Sequence, residues 1–157
     1  MLNNNSNAQM VEDERAVQAL AGRFADATNR RDIVALQALW APNGIWDLKP
    51  PVDALLKGRD TIIAMAQQLI EDYEFFLNLP ITSVVELHGD KAHARWYMHE
   101  VGRRHDGGGL NNFGLSIDEM MKLDGQWVFT KRTYQPIYLE EVKLTGAVFA
   151  LPKAAYL

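Results

Sequence analysis

The sequence predicts an α+β domain, with helices at the front packed on an antiparallel sheet. Three observations carry this. Up to about Asp72, apolar residues recur three and four apart, the spacing of a helix with one buried stripe. From about Phe75, runs of alternating residues take over. Between two of those runs sits Asp124-Gly125, a strong two-residue hairpin signal. Helices first and strands afterwards is the order of an α+β fold rather than of βαβ units.

Residues 1–9 are Asn-rich and read as a disordered tail, with a single domain over residues 10–157. From Glu12 a helix is expected, with Val17, Leu20, Ala21, Phe24, Ala27 and Thr28 on one stripe. Glu12, Asp13 and Glu14 would sit in its first turn, and Arg30 and Arg31 at its far end, matching the helix dipole. Asp32 reads as the N-cap of a short second helix through Trp40. Ala41-Pro42-Asn43-Gly44 reads as a turn, Ile45 to Leu48 as a short strand, and Lys49 to Lys57 as a loop. A third helix is expected from Thr61 to about Asp72, capped by Asp60.

Strands are then expected over Phe75–Glu86, interrupted by Pro80, and over Lys91–Val101, Asn112–Leu123 and Gln126–Ile137. In the second of these, Ala92, Ala94, Trp96, Met98 and Glu100 share one face, and His93, Arg95, Tyr97 and His99 the other. Trp40, Trp127 and Phe129 are expected in the core. The apolar end, Leu144 to Pro152, should pack back on the domain or on a neighbouring subunit.

At 157 residues the chain fits one domain, and about half of it is apolar, enough for a core. Net charge is −4 with no basic patch, which argues against nucleic acid. No apolar run approaches the ~20 residues a membrane helix needs. The polar, acidic start is unlike a signal peptide, so a cytoplasmic protein is expected. Cysteine is absent, which removes disulfides, thiolate metal sites and cysteine nucleophiles. Two large-residue sheet faces need covering, one by helices and the other by a second copy. A dimer or trimer is therefore expected, with the contact near His93, Arg95, Tyr97 and His99.

Several side chains could carry chemistry. Glu100 lies in step with Trp96 and Met98: either a carboxylate inside the molecule, with the raised pKa of a general base, or a strand-end residue at the rim. Asp118 lies in step with Ser116 and Asn112 and is either a base facing the pocket or a salt-bridge partner that only orients Arg132. Arg132 alternates with Val128, Thr130 and Tyr134 and is either a strand cation in a salt bridge or a cavity cation for a ligand oxygen. Tyr73, Tyr97 and Tyr134 are phenols able to donate to a ligand or to serve as hydrogen-bonded core. His93 and His99 lie in step but opposite Trp96 and Met98, without a third ligand nearby, and read as surface or interface residues, not a metal site. The glycines at 107–109 precede no helix and do not make a phosphate loop.

Local phrases add a resemblance. Asn29-Arg-Arg-Asp32-Ile-Val-Ala-Leu and Leu39-Trp40-Ala-Pro-Asn-Gly-Ile-Trp46 resemble the opening of SnoaL-like proteins, of the nuclear-transport-factor-2-like superfamily. Gly58-Arg59-Asp60, Leu87-His-Gly-Asp90-Lys-Ala-His-Ala-Arg95 and Leu123-Asp-Gly-Gln-Trp127-Val-Phe-Thr-Lys-Arg132 are similar in order and spacing. The resemblance spans roughly Val11 to Pro136. It implies a cone-shaped barrel, three helices closing a strongly curved sheet over a pocket. The nearest pattern is that of the hexachlorocyclohexane dehydrochlorinase and scytalone dehydratase group, which run cofactor-free eliminations with a His–Asp dyad and an Arg.

By that resemblance the Arg falls on Arg132 and an inner Trp on Trp46. The dyad Asp falls on Asn29 and the dyad His on or near Asn78, and Asn cannot take up a proton in the working pH range. The polyketide-cyclase branch uses a strand carboxylate, which points to Asp118 or Glu100 as the base. Phe24, Trp46, Tyr73, Asn78, Asn29, Ser116 and Tyr134 are the substrate-binding candidates. The implied function is a small cofactor-free lyase, isomerase or hydratase acting on an apolar molecule with a carbonyl or hydroxyl. The alternative is a non-catalytic binding or assembly module of the same fold. Asn29 could also cap the first helix, and Asn78 could be a bulge residue before Pro80.

Overall fold

The structure, a computed structural model, describes residues 3–156. Helix α1 spans Asn3–Asn29, so most of the stretch expected as a tail is helical from Asn3 on, while residues 1 and 2 lie outside the described residues. The acidic cluster 12–14 therefore sits turns inside the helix rather than in its first turn. Asp13 has a different partner set: Lys122 Nζ donates to its Oδ1 at 2.7 Å and Trp127 Nε1 at 2.9 Å, pinning α1 to the sheet. The expected stripe is buried, from Val17 and Leu20 to Phe24, Ala27 and Thr28.

Arg31 takes a left-handed φ of 59° and turns the chain into α2, Ile33–Ala38. Asp32 caps it, its Oδ1 accepting from Ala35 N at 2.9 Å. Trp40 does not end this helix but starts strand β1, Trp40–Leu48. The Pro42-Asn43-Gly44 signal appears as a break in strand register between Trp40 and Ile45, not as a free turn. The expected loop contains a short strand, β2, Ala54–Lys57, paired antiparallel with β1. Gly58 rather than Asp60 stands at the N-cap of α3, Arg59–Glu71, and Asp60 lies in its first turn.

Four long strands follow: β3, Tyr73–His88; β4, Lys91–Arg104; β5, Gly109–Leu123; and β6, Gln126–Val142. A 3-10 turn, Lys153–Tyr156, ends the described chain. The strand order is β2-β1-β6-β5-β4-β3. Pro80 is tolerated because β3 is an edge strand, and the register shifts between Pro80 and Thr82. Asp124 and Gly125 both have positive φ, 49° and 79°, the two-residue hairpin expected between β5 and β6. One expectation needs correcting. The sheet is mostly, not wholly, antiparallel, because β1 pairs parallel to β6. Strand direction between distant segments is set by where α2 delivers the chain, and no local signal records it.

The apolar core lies between the helices and the inner sheet face. Leu20 of α1, Leu36 of α2, Ile62 of α3 and Trp40, Trp96, Met98, Met120 and Phe129 of the strands are all shut off from solvent. Of the apolar end from Leu144 to Pro152, Leu144 is tied back by its carbonyl, which accepts from Arg103 Nη1 at 2.6 Å. Val148, Phe149 and Leu151 are exposed, with Phe149 at 85 %, so of the two expected coverings the domain itself does not supply theirs. No helix among the described residues is long and apolar enough to cross a membrane.

Candidate functional site

Residues two apart on a strand face the same way, so the inner sheet face can be read across the strands as rungs. One rung runs Ala94, Asp118, Arg132, Trp46; the next runs Trp96, Ser116, Tyr134, Leu48. The one between Pro80, Met98, Gly114 and Pro136 is apolar. Beyond it lies Asn78, Glu100, Asn112, Leu139. Polar residues thus occupy the inner face in two groups, one around Arg132 and one around Glu100.

Arg132 is 2 % exposed. Its Nε donates to Asp118 Oδ1 at 3.1 Å and its Nη2 to Ser116 Oγ at 3.0 Å. Ser116 in turn donates to the same Asp118 oxygen at 2.7 Å. The guanidinium carbon lies 4.1 Å from the ring centre of Phe24 and 4.3 Å from that of Phe129, two rings set edge to face with each other, so the cation is held by a carboxylate and by two aromatic rings. Nη1 has no partner among the described residues. Burial pushes the Asp118 carboxyl up, against the pull of Arg132, then Ser116. The Trp96 indole adds a weaker pull without a true hydrogen bond, since neither its Nε1 nor Asp118 Oδ2 has a partner of the right geometry.

Glu100 is half-buried and takes three neutral donors. Asn78 Nδ2 reaches Oε1 at 2.7 Å, Asn112 Nδ2 reaches Oε2 at 2.7 Å, and the Tyr134 hydroxyl donates to Oε2 at 2.5 Å. Asn112 Nδ2 also donates to the Tyr134 oxygen at 2.6 Å. The Tyr134 phenol is pushed far up by burial and by the neighbouring carboxylate, so it stays a donor. Its ring reaches Glu100 across Gly114, where any Cβ would overlap the phenol. Burial also raises the Tyr73 phenol, against the pull of the nearby Arg104.

These groups border a cavity of about 320 Å³ between the helices and the sheet. Phe24, Trp46, Tyr73, Asn78, Glu100, Ser116, Arg132 and Tyr134 all line it. Asn29 and Asp118 do not. Asp118 is fully buried behind Arg132 as its counter-ion, which removes it from reach as a base on a cavity ligand. Asn29 spends both polar atoms on the main chain of Asn78. Sequence reasoning did not select Asn112, although its step with Ser116 and Asp118 carried the signal, nor Thr28, Arg104 and Glu141, which also line the cavity. Outside it, His99 stacks on Phe113 with centroids 4.4 Å apart and bonds Asn111, and His93 lies beside His88.

A model of the SnoaL-like domain matches residues 9–133, most of the chain. The chain belongs to the SnoaL-like domain family. This SnoaL-like chain also matches solved structures over nearly its whole length. A type 2 hexachlorocyclohexane dehydrochlorinase has a TM-score of 0.80 at 19% identity, covering 94% of this chain and 99% of that one. The type 3 enzyme from Novosphingobium barchaimii gives 0.78 at 17% identity, with 93% and 99% covered. A scytalone dehydratase-like protein from Novosphingobium aromaticivorans gives 0.77 at 17%, with 90% and 95% covered. At these identities the likeness is one of fold: helices packed on a six-stranded, mostly antiparallel sheet. No protein of curated function matches the chain in sequence.

Proposed function

We propose that this SnoaL-like chain is a cofactor-independent enzyme of lyase or isomerase type, acting on an apolar carbonyl compound held in the cavity. In this reading Glu100 takes a proton from the carbon beside the carbonyl. The C–H electron pair moves into the C–C–O system, and the oxygen becomes an enolate held by the Arg132 guanidinium. In a β,γ-unsaturated ketone, returning the proton at the γ-carbon of the dienolate moves the double bond and completes an isomerisation. Expelling a β-substituent with its electron pair completes an elimination. Phe24, Trp46 and Tyr73 supply apolar wall, and Ser116 and Tyr134 hold the two polar groups in place.

The observation that carries the proposal is the position of Glu100 on the polar wall of the same cavity as Arg132. The other lining carboxylate, Glu141, is exposed at the mouth. The fold's relatives named above include dehydrochlorinases, and the amides at Asn29 and Asn78 leave Glu100 as the interior proton acceptor. The test is hydrogen–deuterium exchange at the activated carbon of 2-tetralone, followed by NMR. Exchange above buffer that falls ~10²–10⁴-fold in Glu100→Gln supports the proposal. Wild-type exchange no faster than buffer, across a panel of bicyclic ketones that bind, removes it.

A second reading, a non-catalytic binding module, is favoured by one observation. Three donors already engage the Glu100 oxygens, as a structural carboxylate would require. Binding of the ketones without exchange is its signature.

A further inference from the structure

The charged residues of the cavity wall are four: Glu100, Glu141, Arg104 and Arg132. The two cations have their anions outside the lining. Arg132 is paired with Asp118 at 3.1 Å, and Arg104 with Asp106 at 3.5 Å. Neither Asp118 nor Asp106 lines the cavity. The two lining carboxylates pair with no cation among the described residues. Counted with their partners, the groups are two cations and four anions, a net −2.

The donors around Glu100 are all neutral, two amides and a phenol. Each has a hydrogen to offer the carboxyl oxygens, so three neutral donors surround a group that accepts. Hydrogen bonds of this kind hold the charge in place without cancelling it. The rest of the wall is mainly apolar, with Phe24, Trp46, Leu69 and Phe76 among its members, so little screens that charge from a bound molecule.

We infer that the cavity takes uncharged ligands and rejects carboxylates, and that Glu100 is the residue that sets this preference. The inference rests on the cavity being a small-molecule site, as proposed above, but not on its being catalytic. An incoming carboxylate would meet Glu100 without a free cation to offset it, since Arg132 is already neutralised by Asp118. A ketone of the same shape brings no such repulsion. Its oxygen still finds a donor in Arg132, and its rings meet the aromatic wall. While Glu100 keeps its charge, Arg132 thus serves as a hydrogen-bond donor for a neutral oxygen; an enolate forms there only as Glu100 takes up the proton, so the wall and the ligand never carry both negative charges at once.

The test compares two probes of nearly equal shape, 2-acetylnaphthalene and 2-naphthoate, by equilibrium dialysis at pH 7.5. The ketone should bind ~10-fold or more tightly than the carboxylate to the wild-type protein. Glu100→Gln should narrow the gap to within about 2-fold by raising the affinity for naphthoate. Glu141→Gln, at the exposed mouth where folding is not at stake, should narrow it less. Naphthoate binding as tightly as the ketone in the wild type overturns the inference. So does a gap unchanged in a folded Glu100→Gln, or binding of neither probe. Discrimination without 2-tetralone exchange would remove the catalytic reading and leave this one standing. Exchange without discrimination would do the reverse.

Discussion

Asn29 clasps Asn78 by its main chain: Nδ2 donates to Asn78 O at 3.0 Å, and Oδ1 accepts from Asn78 N at 2.7 Å. One side chain at the end of α1 thereby satisfies both backbone groups of a residue on edge strand β3. Asp at position 29 would keep the acceptor but face the Asn78 carbonyl with a second acceptor. Wild-type protein should release no chloride from hexachlorocyclohexane above background. Asn29→Asp with Asn78→His is the least change expected to restore it. Brisk chloride release by the wild type would show that another group fills the role of the missing histidine.

Removing Arg132 has two costs that separate cleanly. Arg132→Ala strands Asp118, which is fully buried, and should destabilise the fold by roughly 3–5 kcal/mol. Adding Asp118→Asn to Arg132→Met removes both charges and should recover much of that loss. Ketone affinity should stay low, because the donor to the ligand oxygen is still gone. Urea denaturation and dialysis on the same variants distinguish the two effects.

Gly114 is required by its neighbour rather than by its own backbone, since its φ is not among the positive values. Gly114→Ala should push the Tyr134 phenol off Glu100 and cost about 1–3 kcal/mol, as overpacking does in a filled interior. Double substitution with Tyr134→Phe should be less disruptive than the sum of the two. A Gly114→Ala protein that melts like the wild type would show that the ring has room to move.

The Asp13 carboxyl is held below its usual range by hydrogen bonds first from Lys122 and then from Trp127. A carboxyl with a lowered folded-state pKa stabilises the fold above its unfolded value of ~3.9. That stabilisation is lost as pH falls through the lowered value. Asp13→Asn should therefore be less stable than the wild type near neutral pH, with the difference closing as pH falls through the lowered value. A gap in urea midpoint that stays constant from pH 7 to pH 2.5 would contradict this.

Tyr97, Phe113, Ile117 and Tyr138 stand 40 to 50 % exposed on the outer sheet face, with Leu79 and Val84 beside them. An apolar centre of this extent has the make-up of a subunit contact. Light scattering should give a dimer or trimer at micromolar concentration. Tyr97→Glu should shift it toward the monomer.

The helical half and the hairpin at Asp124-Gly125 were legible because each rests on local periodicity or on a turn that needs positive φ. Glu100 was legible as a candidate for the inner face, since alternation puts it in step with Trp96 and Met98. Arg132 was not: strict alternation from Trp127 and Phe129 would turn it outward, and the register shift between Glu119 and Met120 brings it to the inner face, where only the family resemblance had pointed. Position along that face was not legible either. Asp118 and Ser116 stand in step, yet only packing shows that Ser116 lines the cavity while Asp118 lies behind Arg132. The parallel pairing of β1 with β6 was equally hidden, because contacts between distant segments decide it. Asn29 lost its expected place in the pocket through a bond to a residue 49 positions away, which no spacing rule reports.

The Arg132 guanidinium packs on Phe24 of α1 as well as on Phe129 of its own strand. Part of its shelter therefore comes from the first helix. A sheet assembled without α1 would leave the cation facing water on one side and Asp118 less than fully enclosed. Detaching the helix and opening the cavity are thus a single event. Hydrogen exchange should report one cooperative opening for the amides of α1 around Phe24 and those of β6 around Arg132, and the helix should not fray independently there.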